Sequence, residues 1–82
     1  DLRYAATFAL LTHEDPRAVE ALIRLSQDED DDVRDWATFG LGSQIGLDTP
    51  EIRQALRDRL EEPDDEIRGE ALVGLAVRKD PA

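Results

Sequence analysis

One ten-residue phrase occurs three times in this chain: "LRYAATFALL" from Leu2, "VRDWATFGLG" from Val33 and "IRGEALVGLA" from Ile67. The copies align on Arg3, Arg34 and Arg68, each preceded by an apolar residue: Leu2, Val33 and Ile67. Three positions after each arginine stands alanine (Ala6, Ala37, Ala71). Three further on stands a very small residue (Ala9, Gly40, Gly74), and then leucine (Leu10, Leu41, Leu75). Apolar residues at i, i+4, i+7 and i+8 form one stripe of an amphipathic helix, and the alternation of a strand is absent. The very small residues let a second helix approach closely, because a long side chain would hold the backbones apart.

Different helices separate the copies. "DPRAVEALIRLSQ" offers Asp15 as an N-cap, Pro16 at the first helical position, and an apolar stripe of Ala18, Leu22 and Leu25 widened by Val19 and Ile23. "TPEIRQALRDRLEE" repeats the device with Thr49, Pro50 and the stripe Ile52, Leu56 and Leu60. The interval from Pro16 to Val33 equals that from Pro50 to Ile67, so the unit is helix, acidic turn, helix, with a period near 34. Gly42 and Gly46 in the longer second loop offer helix stops. The expected map is one all-α domain over 1–82: an orphan helix at 2–12, a repeat at 16–44 (helices 16–27 and 33–44), and a repeat at 50–78 (helices 50–61 and 67–78). No helix pair of this size buries its own apolar face, so neighbours must cover it. Leu2, Tyr4, Leu72 and Leu75 are expected to face further repeats, and the chain reads as a fragment of a longer solenoid. The same exposed ends offer a route to self-association.

Twenty acidic residues against ten basic give a net charge of -10. That field repels phosphate backbones and anionic membrane surfaces, and it steers basic partners inward. Neither nucleic acid nor membrane is therefore expected as a partner, and a protein with a basic patch is. No apolar run approaches the ~20 residues that span a bilayer. With no cysteine there is no disulfide or thiolate metal site, which fits a cytoplasmic location. Ser26 and Ser43 are the only serines and His13 the only histidine, with no base at motif spacing, so no catalytic residue and no cofactor is expected. "DEDDD" at Asp28 to Asp32 invites a calcium reading, but the sixth position from Asp28 is Val33 where the loop needs glycine, and the twelfth is Phe39 where it needs glutamate. Acids at these turns instead meet the unpaired N–H groups and positive dipole end of the following helix. No metal site is expected.

These motifs resemble the short HEAT-like repeats of the phycobilin-lyase type, with an acidic turn, valine-arginine, alanines and leucine-glycine. The matching residues are Asp31, Asp32, Val33, Arg34, Ala37, Gly40, Leu41 and Gly42, and again Asp65, Glu66, Ile67, Arg68, Ala71, Gly74, Leu75 and Ala76. The resemblance implies an α-α superhelix, a HEAT-like repeat solenoid fragment of about five helices, with the second helices lining a concave surface. It also implies a ladder in which each arginine pairs with an acidic turn residue of its own or an adjacent unit. At i-3, Asp31 is the candidate for Arg34 and Asp65 for Arg68. Phe8, Phe39 and Val73 share one column of the repeat, with Trp36 beside it; these four either pack between helices or form a binding strip. The expected function is a non-catalytic protein-protein interaction scaffold. The alternatives are a lyase or lyase subunit acting on a tetrapyrrole chromophore, and a purely structural spacer.

Overall fold

The computed structural model describes residues 16–80. The expected helix at 2–12, Phe8, His13, the cap at Asp15, and the expectations for Leu2 and Tyr4 lie outside the described residues. Within them are four α-helices and no strand: α1 (Pro16–Leu25), α2 (Asp31–Phe39), α3 (Pro50–Asp58) and α4 (Asp65–Val77). They form two helix pairs. The first helices α1 and α3 touch, the second helices α2 and α4 touch, and each pair packs internally, so the architecture has two helical layers.

The helix starts are set by side-chain caps that repeat with the sequence. Asp30 accepts from the N–H groups of Asp32 and Val33 at 2.9 and 3.2 Å. Asp64 accepts from those of Glu66 and Ile67 at the same two distances. Each cap satisfies donors that the first helical turn leaves unpaired, and each draws its helix to start two residues before the apolar phrase. Thr49 caps α3 through the Ile52 N–H at 3.1 Å, with Pro50 just inside. At the other end, α4 closes with Lys79 at φ 59°; the Asp80 N–H reaches Leu75 O at 2.9 Å and the Lys79 N–H reaches Ala76 O at 3.0 Å. This is the paired bonding of a Schellman stop, with lysine where glycine is usual.

The repeated stripe is the core. Val33, Ala37, Leu41, Ile67 and Ala71 are fully buried, and Leu75 nearly so, against Leu22, Ile52 and Leu56 of the first helices. Leu75 therefore does not face a further repeat as expected; it lies on the inward side of α4, while Leu72, Val73 and Val77 stay exposed.

Two expected helix ends are also corrected. α2 leaves the α-helical form at Phe39 and continues as a π-type turn over Gly40–Gln44, closed by the Ile45 N–H to Gly40 O bond at 3.0 Å. Gly42 is not a stop: it is buried in that turn, against Gly74 of α4. A Cβ on Gly74 would lie 2.6 Å from the Gly42 Cα, so this crossing tolerates no side chain there. α3 tightens into a 3-10 turn at Arg59–Glu61.

The π-type turn leaves carbonyl groups without helical partners, and Arg78 collects them. Its Nη2 donates to Leu41 O (2.8 Å), Ile45 O (2.9 Å) and Leu47 O (2.7 Å). Its Nη1 donates to Gly42 O and Gly74 O, both at 3.1 Å, and its Nε to Leu47 O at 3.2 Å. The side chain is almost wholly buried, and burial pulls its pKa below the ordinary arginine value. The planar fork of five N–H donors is what allows one residue to serve so many acceptors.

Candidate interaction face on the second helices

Arg34 and Arg68 both reach back across the acidic turn. Nη1 of Arg34 donates to Asp28 O at 3.0 Å, and Nη1 of Arg68 to Glu62 O at 2.7 Å, in each case six residues upstream. An arginine in the first turn of a helix opposes the local dipole; here it is held by carbonyl oxygens at the end of the preceding segment. Arg34 Nη1 also meets Glu29 O at 3.0 Å.

The ion pairs divide. Arg68 bonds Asp65, its expected partner. Arg34 does not pair with Asp31; its Nε donates to Glu62 Oε2 at 3.0 Å, in the turn of the next unit. Pointing back over the turn lets one guanidinium serve two carbonyls and a carboxylate, while Asp31 stays in water at the helix start. Glu62, whose side chain is only 7% exposed, also accepts from Arg59 at 2.8 Å, so it links the two repeats. Spacing within one helix could not reveal Glu62; the signal was its place in the next copy of the acidic turn. The oxygens of Asp30, Asp31 and Asp32 come within 4.8 Å of one another, but Asp30 is spent as a cap and acids suit this helix end.

Between the second helices lies a groove of about 180 Å³ lined by Asp35, Trp36 and Phe39 from α2 and by Glu66 and Glu70 from α4. The Trp36 and Phe39 rings meet edge to face, with centroids 5.9 Å apart and planes at 87°, the arrangement their quadrupoles favour. Both are half-buried. Val73, from the same expected column, is 52% exposed and is not part of the groove lining.

The acids of this groove escaped the sequence reading. Glu70 is held protonated well above the usual carboxylate range, first by burial, then by its hydrogen bond with Asp35 and by the charges of Asp35, Glu66 and Asp64. Asp35 Oδ1 and Glu70 Oε2 are shut from water, and among the described residues no third group donates to either. The available signal was position: Asp35 adjoins Trp36, and Glu66 and Glu70 stand one helical turn apart.

The first-helix side is electrostatically closed by contrast. Arg53 grips Asp48 through two bonds, at 2.8 and 2.6 Å, and reaches Asp80 at 3.3 Å. Arg57 also bonds Asp80, whose carboxylate is fully buried. The Arg53 bond draws Asp48 below the usual carboxylate range.

Among the described residues, no helix is long and apolar enough to cross a membrane. The family model for HEAT repeats matches residues 1–76. Protein YibA of Escherichia coli strain K12 and Protein YibA of Escherichia coli O157:H7 are each 35% identical to this chain over 80 residues. The match covers 98% of this chain and 28% of each relative, so the chain spans little more than a quarter of their length. No solved structure matches. With its repeated phrase, its two-layer helix pairs and this match, the chain belongs to the HEAT-repeat family.

Proposed function

We propose that this chain is a non-catalytic protein-interaction segment, and that the face made by α2 and α4 receives a partner carrying a basic patch. The observation that carries the reading is the groove between these helices, where three carboxylates from two repeats surround an aromatic pair. The net charge of -10 adds a field that attracts a basic partner and repels phosphate backbones and anionic lipid. HEAT repeats build extended helical surfaces, and side chains there vary without disturbing the core stripe. A cytoplasmic location belongs to the same reading, on the absence of cysteine.

A role in handling a tetrapyrrole rests on the repeat motif alone; a gain of visible absorbance on mixing with a bilin would be its signature. The binding reading is tested by affinity capture with the chain and with an Asp35→Asn/Glu66→Gln/Glu70→Gln variant, at low and high salt. It requires a protein held by the first, lost from the variant, and released by salt. Equal capture by both would place the binding elsewhere.

A further inference from the structure

We propose that the outward side of α4 is a self-association surface, on which two copies of this chain pair antiparallel about a two-fold axis at Val73. The proposal goes beyond the basic-partner reading and does not depend on it.

The exposed side of α4 is unlike those of the other helices. They turn charges to water: Glu20 and Arg24 on α1, Asp31 and Asp32 on α2, Glu51 and Asp58 on α3. α4 does so only in its first turn, at Asp65 and Glu66. Beyond that turn its exposed residues are Leu72, Val73, Ala76 and Val77. Its inward side is apolar as well, with Ile67, Ala71 and Leu75 in the core. A helix that is apolar on both sides is suited to being covered on both.

Gly69 is a second observation on the same side. Glycine inside a helix costs stability relative to alanine, and nothing lies within 4 Å of where a Cβ on Gly69 would stand. No contact among the described residues calls for it. What a missing side chain supplies is room for another helix to come close, the use that Gly42 and Gly74 already show between α2 and α4.

The occupant follows from the order of residues along this line. Gly69, Val73 and Val77 repeat every four positions, so they share one face, with Leu72 and Ala76 beside them. The line is complementary to itself when two α4 helices run antiparallel with Val73 opposite Val73. Gly69 of each copy then meets Val77 of the other, so the open space receives a side chain that is 69% exposed in the single chain. The same register brings exposed Glu66 at the start of one helix to the end where Lys79 stands exposed in the other. Symmetry makes every contact twice, so an apolar centre is flanked by two pairs of opposite charge.

One stripe of five residues covers less than the roughly 800 Å² per partner of a standard complex. The net charge of -10 on each copy also opposes approach. The dimer is therefore weak, and salt strengthens it by screening that repulsion. The sign is opposite to that for a basic partner, which salt releases.

Sedimentation equilibrium of the chain, from micromolar to millimolar concentration at low and high salt, tests the proposal. It expects a reversible equilibrium that stops at twice the mass of the 82-residue chain and shifts toward dimer in salt. Val73→Glu places a charge at the centre and should weaken dimerisation about tenfold. Gly69→Leu fills the open space and should weaken it too. Circular dichroism should show both variants folded, since neither position belongs to the core. Glu66→Lys and Lys79→Glu should each weaken the dimer, and the two together should restore it. A chain that stays monomeric at every concentration and salt overturns the proposal. So does a dimer that Val73→Glu leaves intact, or one indifferent to the charge exchange, since the register is then wrong. Masses that climb past the dimer also overturn it, because they show head-to-tail contact between unlike faces.

Discussion

Replacing Arg78 with alanine is the most severe single perturbation this structure offers. The side chain makes six hydrogen bonds to five carbonyl oxygens: Leu41, Gly42, Ile45, Leu47 and Gly74. Hydrogen bonds to a charged group contribute about 1.5–3 kcal/mol each, and a buried acceptor left bare costs about 1–3 kcal/mol. Simple addition would exceed the whole stability expected of a domain this size, about 4–12 kcal/mol. The losses are not additive, because water follows the shortened side chain in and the π-type turn relaxes. Desolvation of the guanidinium, visible in its lowered pKa, is also recovered. We therefore expect a net loss of about 3–4 kcal/mol, close to the cost of breaking a buried polar network. At about 4–8 °C per kcal/mol for this length, Tm falls by roughly 12–32 °C. Urea denaturation followed by far-ultraviolet circular dichroism measures it, with an unchanged m-value showing that the same surface is exposed. Arg78→Lys keeps the charge but offers three donors from one nitrogen, so it should recover only part of the loss. If Arg78→Ala costs less than about 1 kcal/mol, the account of Arg78 as the clasp of the π-type turn is wrong.

Three further outcomes follow from the packing and the charges. Gly74→Ala places a Cβ against the Gly42 backbone and should destabilise by about 1–3 kcal/mol, whereas Gly69→Ala, with nothing within 4 Å, should gain up to about 1 kcal/mol; both are read from urea midpoints. Arg34→Ala leaves buried Glu62 with Arg59 alone and frees two turn carbonyls, so Tm should fall clearly, by more than for Arg24→Ala in its exposed pair with Glu20, and an unchanged melt would dismiss the inter-repeat link. Glu70 titrates with its pKa pushed up to about 9 from 4.5, so the folded state binds the proton more tightly than the unfolded one. Its contribution is full below pH 4.5 and is lost as pH rises toward 9. Glu70→Gln should therefore flatten the decline in stability between pH 5 and 9, and an equal decline in both proteins would show that the groove pair is not its source.

The core could be read in advance because helical periodicity is a local property. Val33, Ala37 and Leu41, and Ile67, Ala71 and Leu75, fall on one stripe whatever surrounds them, and burial follows from that stripe. The Thr49 cap was equally local. What escaped notice depends on contacts between units. Glu62 is drawn to Arg34 across the repeat boundary. Gly42 looked like a stop because glycine often ends helices, but its use here is the close approach of Gly74, which only the crossing of α2 and α4 creates. Arg78 stood one residue past a helix end with nothing nearby in sequence to indicate five carbonyls waiting for it. For the groove, the aromatic half was legible at Trp36 and Phe39, while the acids were hidden by abundance: among so many carboxylates, only the packing of the two helices picks out Asp35 and Glu70.

The central claim is that α2 and α4 form the binding face, and site-directed photocrosslinking tests it most directly. A photoreactive residue is placed at exposed Val73 on α4, and separately at exposed Gln54 on α3, in the chain incubated with a captured partner. The account predicts a crosslink from position 73 that disappears in the Asp35→Asn/Glu66→Gln/Glu70→Gln background, and none from position 54. A crosslink from position 54 with none from position 73 would contradict it and move the binding face to the first helices.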